Sequence, residues 1–244
     1  MQFERKKSVY EKYIKRVLDI ICSLLAIIVF CWLYLIIAIL VRIKLGKPVL
    51  FKQPRPGLID PKTGKERIFD MYKFRTMTDE KDPSGKLLPD EVRLTQFGKK
   101  LRATSLDELP EAFNILKGDM SVVGPRPQLV RDMVFMSDEQ RMRHTAKPGL
   151  TGLAQVNGRN AITWNDKLRI DLDYIKDISF VNDMKLVLLT AKRVLGRGES
   201  SQELDITLDY GDELLNTGAI SRSEYSSNQD KAQKIICTHM KGPH

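Results

Sequence analysis

Apolar residues run almost unbroken from Ile20 to Val41, and basic residues crowd both ends of the run. Arg5, Lys6, Lys7, Lys12, Lys15 and Arg16 precede it; Arg42, Lys44, Lys47 and Lys52 follow. At about 1.5 Å rise per residue such a helix reaches roughly 33 Å, against a hydrocarbon core of about 30 Å. Length alone predicts a transmembrane helix. Lys and Arg beside a membrane segment stay on the cytoplasmic side, so the charge pattern asks both ends to share one face. A re-entrant hairpin meets that demand with two legs of roughly 16 Å each, bent near Cys31. An ordinary signal anchor is the alternative. A cleaved signal peptide fits less well, because the run exceeds a usual h-region and the following VRIKLGK carries no small-residue cleavage pattern.

Beyond the run the pattern divides the chain into three parts: residues 1–47 as membrane-embedded helix and basic flank, 48–199 as a cytoplasm-facing catalytic domain, and 200–244 as a polar tail. Val49 to Gln53 and Arg67 to Phe74, separated by the turn residues Gly57, Asp60, Pro61 and Gly64, predict a small β-hairpin. Glu91 to Arg102, Asp107 to Leu116, Pro127 to Met136, Trp164 to Ile175 and Phe180 to Leu195 carry apolar residues at helical spacing. The last of these gathers Phe180, Val181, Met184, Val187, Leu188 and Ala191 into one stripe, which suits either the core or a membrane interface. The tail is expected to be mobile or an accessory helix. The expected class is α+β, mostly helical, with the re-entrant hairpin, a small β-hairpin and surface amphipathic helices.

Composition changes this picture in one respect. The formal charge of +9 and pI near 9.4 suit nucleic acid or an anionic lipid surface. Lipid is favoured, because the apolar anchor already brings the basic groups to the leaflet, and no zinc-finger or RNA-recognition signature speaks for nucleic acid. Three cysteines, Cys22, Cys31 and Cys237, are too few for a disulfide scaffold and predict reduced thiols.

Absences narrow the chemistry. The chain has no Walker loop, no G-x-G-x-x-G, no C-x-x-C and no H-E-x-x-H, and His144 is the sole histidine before the tail, where a surface position is expected. Catalysis must then rest on carboxylates and basic groups. Asp107 and Glu108, in LRATSLDELPEAFN, are the leading candidates. Ser105 and Glu108 also match a helix capping box, and Asp107 can itself cap a helix that has Pro110 in its first turn. Capping and chemistry are compatible, since a helix N-terminus favours anions. Arg126 in SVVGPRPQLV and Arg159 in KPGLTGLAQVNGRNA sit in Gly/Pro/Asn-rich contexts that exclude regular helix, and Lys73 and Arg75 end the predicted hairpin in YKFRTM. These are either solvated turn residues or mounted phosphate ligands.

In order, KRVLDI, FKQPRPG, YKFRTM, SLDELPEAFNILKGDMSVVGPRP, KPGLTGLAQVNGRN and Trp164 resemble the monotopic bacterial phosphoglycosyl transferases, the bacterial sugar transferase family, from Lys15 to about Leu195. The resemblance implies an enzyme on the cytoplasmic face of the bacterial inner membrane. It would move a phospho-sugar from a UDP-sugar onto undecaprenyl phosphate and release UMP, the step that begins glycoconjugate assembly. It implies Asp107 as nucleophile, in a phosphoglycosyl-aspartate intermediate, and as ligand of Mg²⁺. Glu108 would assist, and Arg126, Arg159 and Lys73 would bind phosphates; Asp171 and Asp183 are weaker supporting carboxylates, equally explained by capping or surface placement. Nothing in it implies a nucleic-acid partner, and a homodimer is left open. One departure stands out. The family commonly breaks its membrane helix at a Ser-Pro pair, where this chain reads FCWLY with Cys31 and Trp32. Ordinary glycosyl transfer with release of UDP, and a non-enzymatic anion-binding membrane module, are the competing readings.

Overall fold

The computed structural model describes residues 3, 5–157, 162–195 and 208–242. A π-helical turn, Tyr10–Ile14, leads into α1 (Lys15–Val29), and α2 (Cys31–Lys44) follows after one residue. The two legs are bent by 63°, and no single helix among the described residues is long and apolar enough to cross a membrane. Phe30 makes the break, one residue before the predicted position, with φ −100° and ψ 12° in the sparsely allowed bridge region.

No proline is needed because each leg is tied to a different part of the molecule. α1 buries a polar stripe, Lys15, Asp19 and Ser23, at four-residue spacing. The Oδ1 of Asp19 accepts from the Ser121 hydroxyl and the Val122 N–H, both at 2.9 Å. Arg16 donates to the carbonyls of Ile115 and Leu116 at 2.6 and 2.7 Å, and Lys15 pairs with Asp183. α2 instead buries Ile37 and Val41 against Phe74 and Leu101. A straight helix could not satisfy both sets of partners. The opposite faces stay apolar and open, with Leu25, Ile28, Trp32, Leu35 and Ile43 exposed.

The predicted hairpin forms and runs longer than expected, as β1 (Leu50–Ile59) antiparallel to β2 (Glu66–Phe74), with Leu50 opposite Phe74 and an irregularity after Pro56. Proline is tolerated in β1 because a two-stranded ribbon leaves each strand one unpaired edge. The single helix predicted from Glu91 to Arg102 is two, α3 (Asp90–Arg93) and α4 (Gln96–Ala103). Leu94 leaves the helix to bridge Met77, and Thr95 then caps α4 by accepting the Gly98 N–H at 3.1 Å. A 3₁₀ turn at Leu106–Glu108 precedes α5 (Glu111–Lys117).

After α5 the two Gly/Pro-rich stretches meet. β3 (Ser121–Val123) is followed by α6 (Val130–Met133), α7 (Asp138–Arg141) and β4 (Gly149–Thr151), and β3 and β4 pair in parallel, Ser121 opposite Gly149. This pair was not predicted; three-residue strands carry no readable alternation. A Cβ on Gly149 would lie 2.1 Å from the Gly124 backbone nitrogen, so glycine is what lets these chains touch. The helix predicted over Pro127 to Met136 shrinks to α6. α8 (Leu153–Asn157), α9 (Trp164–Lys176) and α10 (Phe180–Leu195) complete the region, the last two within a residue of expectation. α10 turns Asp183 and Leu186 inward, while Phe180, Val181, Met184 and Leu188 of its apolar stripe stay exposed. In the tail, α11 (Tyr210–Asn216) and α12 (Arg222–Lys241) form, and Ala232, Ile235 and Ile236 of α12 pack on Val130 and Met133.

Replacing Asp19 by Ala strands two buried donors and is expected to destabilise the protein by about 2–4 kcal/mol. Denaturant unfolding in detergent measures this, and an unchanged midpoint would contradict the tie described for α1.

Candidate active site

The Asp-Glu stretch is a tight turn held from three sides. Ser105 sits in the left-handed region at φ 57° and its side chain caps nothing, which overturns the capping-box reading. The Tyr34 hydroxyl of α2 donates to the Leu109 carbonyl at 2.6 Å. Asn114 of α5 donates to the Asp70 carbonyl and accepts the Tyr72 N–H, at 2.7 and 2.9 Å, locking α5 to β2. Arg16 holds the C-terminal carbonyls of α5. The turn is therefore fastened to both legs of the bent helix pair and to the β-hairpin.

Lys73, Asp107, Glu108 and Arg126 come together here on the wall of a cleft of about 1180 Å³. Lys73 Nζ lies 2.7 Å from Glu108 Oε1, and Arg126 Nη2 lies 3.8 Å from the same oxygen. Two further residues join them. Glu111 is buried with Oε1 3.3 Å from Lys73 Nζ, and Arg55 donates to the Pro127 carbonyl at 3.1 Å while its Nε has no partner among the described residues. Glu111 reads as an ordinary first-turn acid; its position one helical turn beyond Asp107 and Glu108 was the available signal. Arg159 lies outside the described residues. Arg75 also lines the cleft, but its guanidinium is already engaged, donating to the Lys47 and Met77 carbonyls and pairing with Asp79 at 2.7 Å.

The three carboxyls differ because their surroundings differ. Burial pushes Asp107 up to about 6, against the pull of Lys73 and with the charge of Glu108 adding to the rise. Among the described residues no other side chain bonds to it. Glu108 is also buried, but Lys73 and Arg126 outweigh that and hold it below its usual range. Burial raises Glu111 to about 7, its share of Lys73 being the weaker. Burial, with Arg126 nearby, lowers Arg55 to about 10.

The remaining candidates serve the frame. Asp171 is buried in an ion pair with Arg143 at 2.7 Å, and Arg143 in turn donates to the Arg126 carbonyl at 2.5 Å. Asp183 accepts from Tyr10 and Tyr174 at 2.9 and 2.8 Å beside Lys15. Neither caps a helix end nor lies on the surface. His144, expected outside, is buried with Nδ1 3.0 Å from Glu66.

For Glu111 the proton is held more tightly in the folded than in the unfolded chain. Its contribution to stability is thus fully present below about pH 4.5 and is lost as pH rises through about 7. Glu111→Gln is expected to gain stability relative to the unaltered protein over that interval, as read by urea unfolding at several pH values; a difference constant with pH would contradict the assignment.

The family model described as bacterial sugar transferase matches residues 10–197. Among curated proteins, the sugar transferase EpsL of Bacillus subtilis (strain 168) is 48% identical over 182 residues, covering 75% of this chain and 87% of EpsL. A protein of Caulobacter vibrioides named UDP-glucose:undecaprenyl-phosphate glucose-1-phosphate transferase is 38% identical over 191 residues, 74% of this chain and 69% of that one. The undecaprenyl-phosphate galactose phosphotransferase of Salmonella typhimurium is 36% identical over 203 residues, 76% of this chain but 42% of that longer protein. The matched span holds the bent helix pair, both β-pairs and every cleft carboxylate discussed above, and the chain belongs to the bacterial sugar transferase family.

Proposed function

We propose that the chain is a phosphoglycosyl transferase that carries a sugar phosphate from a UDP-sugar to undecaprenyl phosphate through a covalent intermediate on Asp107. The names of its relatives supply the substrate class. The observation that carries the mechanism is the contrast among the cleft carboxyls: Glu108 and Glu111 share Lys73, while Asp107 stands free of any side-chain partner among the described residues. With its carboxyl near 6, Asp107 is mostly ionised at neutral pH yet more basic than an ordinary aspartate, which suits a nucleophile.

In the first step an Asp107 carboxylate oxygen bonds to the β-phosphorus of the UDP-sugar, and the bond from that phosphorus to the bridging oxygen breaks. The bridging oxygen leaves with UMP. In the second, a phosphate oxygen of undecaprenyl phosphate bonds to the same phosphorus and the Asp107 carboxylate departs, leaving a sugar diphosphate on the polyprenol. Lys73, Arg126 and Arg159 serve as phosphate ligands, with Arg55 supporting the Arg126 loop through the Pro127 carbonyl, and Glu108 orients Lys73. Two hard steps replace one harder one.

Magnesium fits the donor set in a particular way. Asp107 offers a hard oxygen ligand, and no group of three or more potential ligands exists among the described residues, so diphosphate oxygens and water would complete the shell. Once bound, the ion neutralises diphosphate charge that would repel the carboxylate.

The cleft also supports the membrane reading. Its wall runs from Ala26 and Tyr34 of the helix pair to Asp107 and on to Lys167, so a polyprenol chain in the bilayer and a soluble nucleotide can reach one site. We place the bent pair in the cytoplasmic leaflet as a re-entrant hairpin, with the exposed apolar face of α10 beside it.

Asp107→Asn is expected to lower UMP release by about 10⁴–10⁶-fold, the range for losing a covalent nucleophile. Product analysis with a panel of UDP-sugars tests the reaction itself: UDP in place of UMP would establish ordinary glycosyl transfer instead. Single cysteines placed just before and just after the helix pair should both react only from the cytoplasmic side, and labelling of either flank from outside would refute the hairpin.

A further inference from the structure

The tail helices α11 and α12 lie beyond the residues matched by the family, yet they pack on the short element that ends the Arg126 loop. That loop runs from Gly124 to Leu129; its start is tied to β4, with the Gly124 N–H donating to the Thr151 carbonyl and the Pro125 carbonyl accepting the Gly149 N–H at 2.8 and 2.9 Å, and three further bonds hold the rest. Arg143 donates to the Arg126 carbonyl, Arg55 donates to the Pro127 carbonyl, and Asp132 of α6 accepts the Leu129 N–H at 3.2 Å. The first two ties come from the body of the domain. The third is the capping bond at the start of α6, and the tail shares the carboxylate that makes it. Asp132 is buried, and its other oxygen accepts the Tyr210 N–H at 3.1 Å.

Further contacts converge on the same place. Arg131 pairs with Asp209 at 2.5 Å, and the Trp164 indole N–H donates to the Leu208 carbonyl at 2.8 Å with its ring 5.2 Å from that of Tyr210. On the far side His239 lies 3.1 Å from Asp70 of β2. A helix as short as α6 has no stability of its own, so its position is set by what packs on it. Its apolar residues Val130 and Met133 pack on α12.

We infer that the C-terminal helices are a clamp that positions Arg126 for the substrate diphosphate, and that Asp132, shared between the Leu129 and Tyr210 N–H groups, is the positioning residue through which they act. Arg126 touches the substrate; Asp132 and Tyr210 do not. The inference rests on the reading of Arg126 as a phosphate ligand, and its test therefore uses binding and not turnover.

Titration calorimetry of the full chain in detergent with UDP and magnesium supplies the readout. Tyr210 is the first residue of α11, where proline is tolerated, and Asp209 at φ −62° and ψ 154° has the extended conformation that a following proline requires. Tyr210→Pro removes the ring and the N–H, whereas Tyr210→Ala removes the ring alone. Tyr210→Pro is expected to weaken UDP binding about tenfold beyond Tyr210→Ala, as for loss of one hydrogen bond to a charged group. In an Arg126→Ala background the two variants should bind alike, a coupling that general loosening of the fold would not produce. Equal affinities in the parent background, or a difference that persists without Arg126, would overturn the clamp. If Tyr210→Pro does not accumulate as folded protein, Ile236→Ala replaces it in the same cycle, with a weakening that must again vanish with Arg126. No UDP binding by the unaltered chain would overturn both the clamp and the phosphate role of Arg126. Binding that follows the cycle without any UMP release would sink the proposed reaction alone.

Discussion

A helix with an apolar surface that must also dock on a folded domain needs a reason to hold one orientation, and here the reason is a buried polar stripe. Lys15, Asp19 and Ser23 face inward from α1, where an unpaired charge would cost several kcal/mol. Each charge has its partner: Lys15 has Asp183 and the Tyr174 hydroxyl, and Asp19 has the start of β3. A rotation of α1 by one residue would strand them all. The rest of the geometry follows, because Arg16 on the same helix grips the end of α5, and α5 begins just after the turn that holds Asp107. α2 closes the loop through Tyr34 and Leu109. The distance between the apolar hairpin and Asp107 is thereby set by hydrogen bonds and not by the flexibility of a linker.

Within the cleft the governing fact is that cations and carboxyls are shared unequally. Lys73 stands between Glu108 and Glu111, nearer the first, and Arg126 reaches the first as well. That asymmetry holds one glutamate ionised and favours the proton on the other, while Asp107 has no side-chain partner among the described residues. In the proposed reaction an arriving diphosphate would bring negative charge to Arg55, Lys73 and Arg126.

Long periodic elements were legible in the sequence: the helix pair, α9, α10 and the core of the β-hairpin all stand where their hydrophobic spacing put them. Short elements were not, because their boundaries answer to tertiary partners. Leu94 leaves a helical pattern to bridge Met77, and α6 is a single turn whose place is decided by Asp132 and the tail. The bend at Phe30 was legible only through charge at the flanks, since the residues at the bend carry no proline. In the site, Asp107, Glu108, Lys73 and Arg126 could be nominated from their motifs and do meet. Glu111 is not legible in the same way, because a helix-start acid has an ordinary structural use and only folding reveals that it points at Lys73. The ionic roles of Asp171 and Asp183 were hidden for the same reason: their partners, Arg143 and Lys15, are 28 and 168 residues away.

The central claim is chemical, that Asp107 becomes covalently bonded to the sugar phosphate. Enzyme quenched with a UDP-sugar in the absence of polyprenyl phosphate, digested and weighed by mass spectrometry, tests it directly. The account predicts a hexose-phosphate increment on the peptide containing Asp107, absent from the Asp107→Asn protein and discharged when undecaprenyl phosphate is added. An enzyme that turns over while that peptide never gains the mass would contradict it.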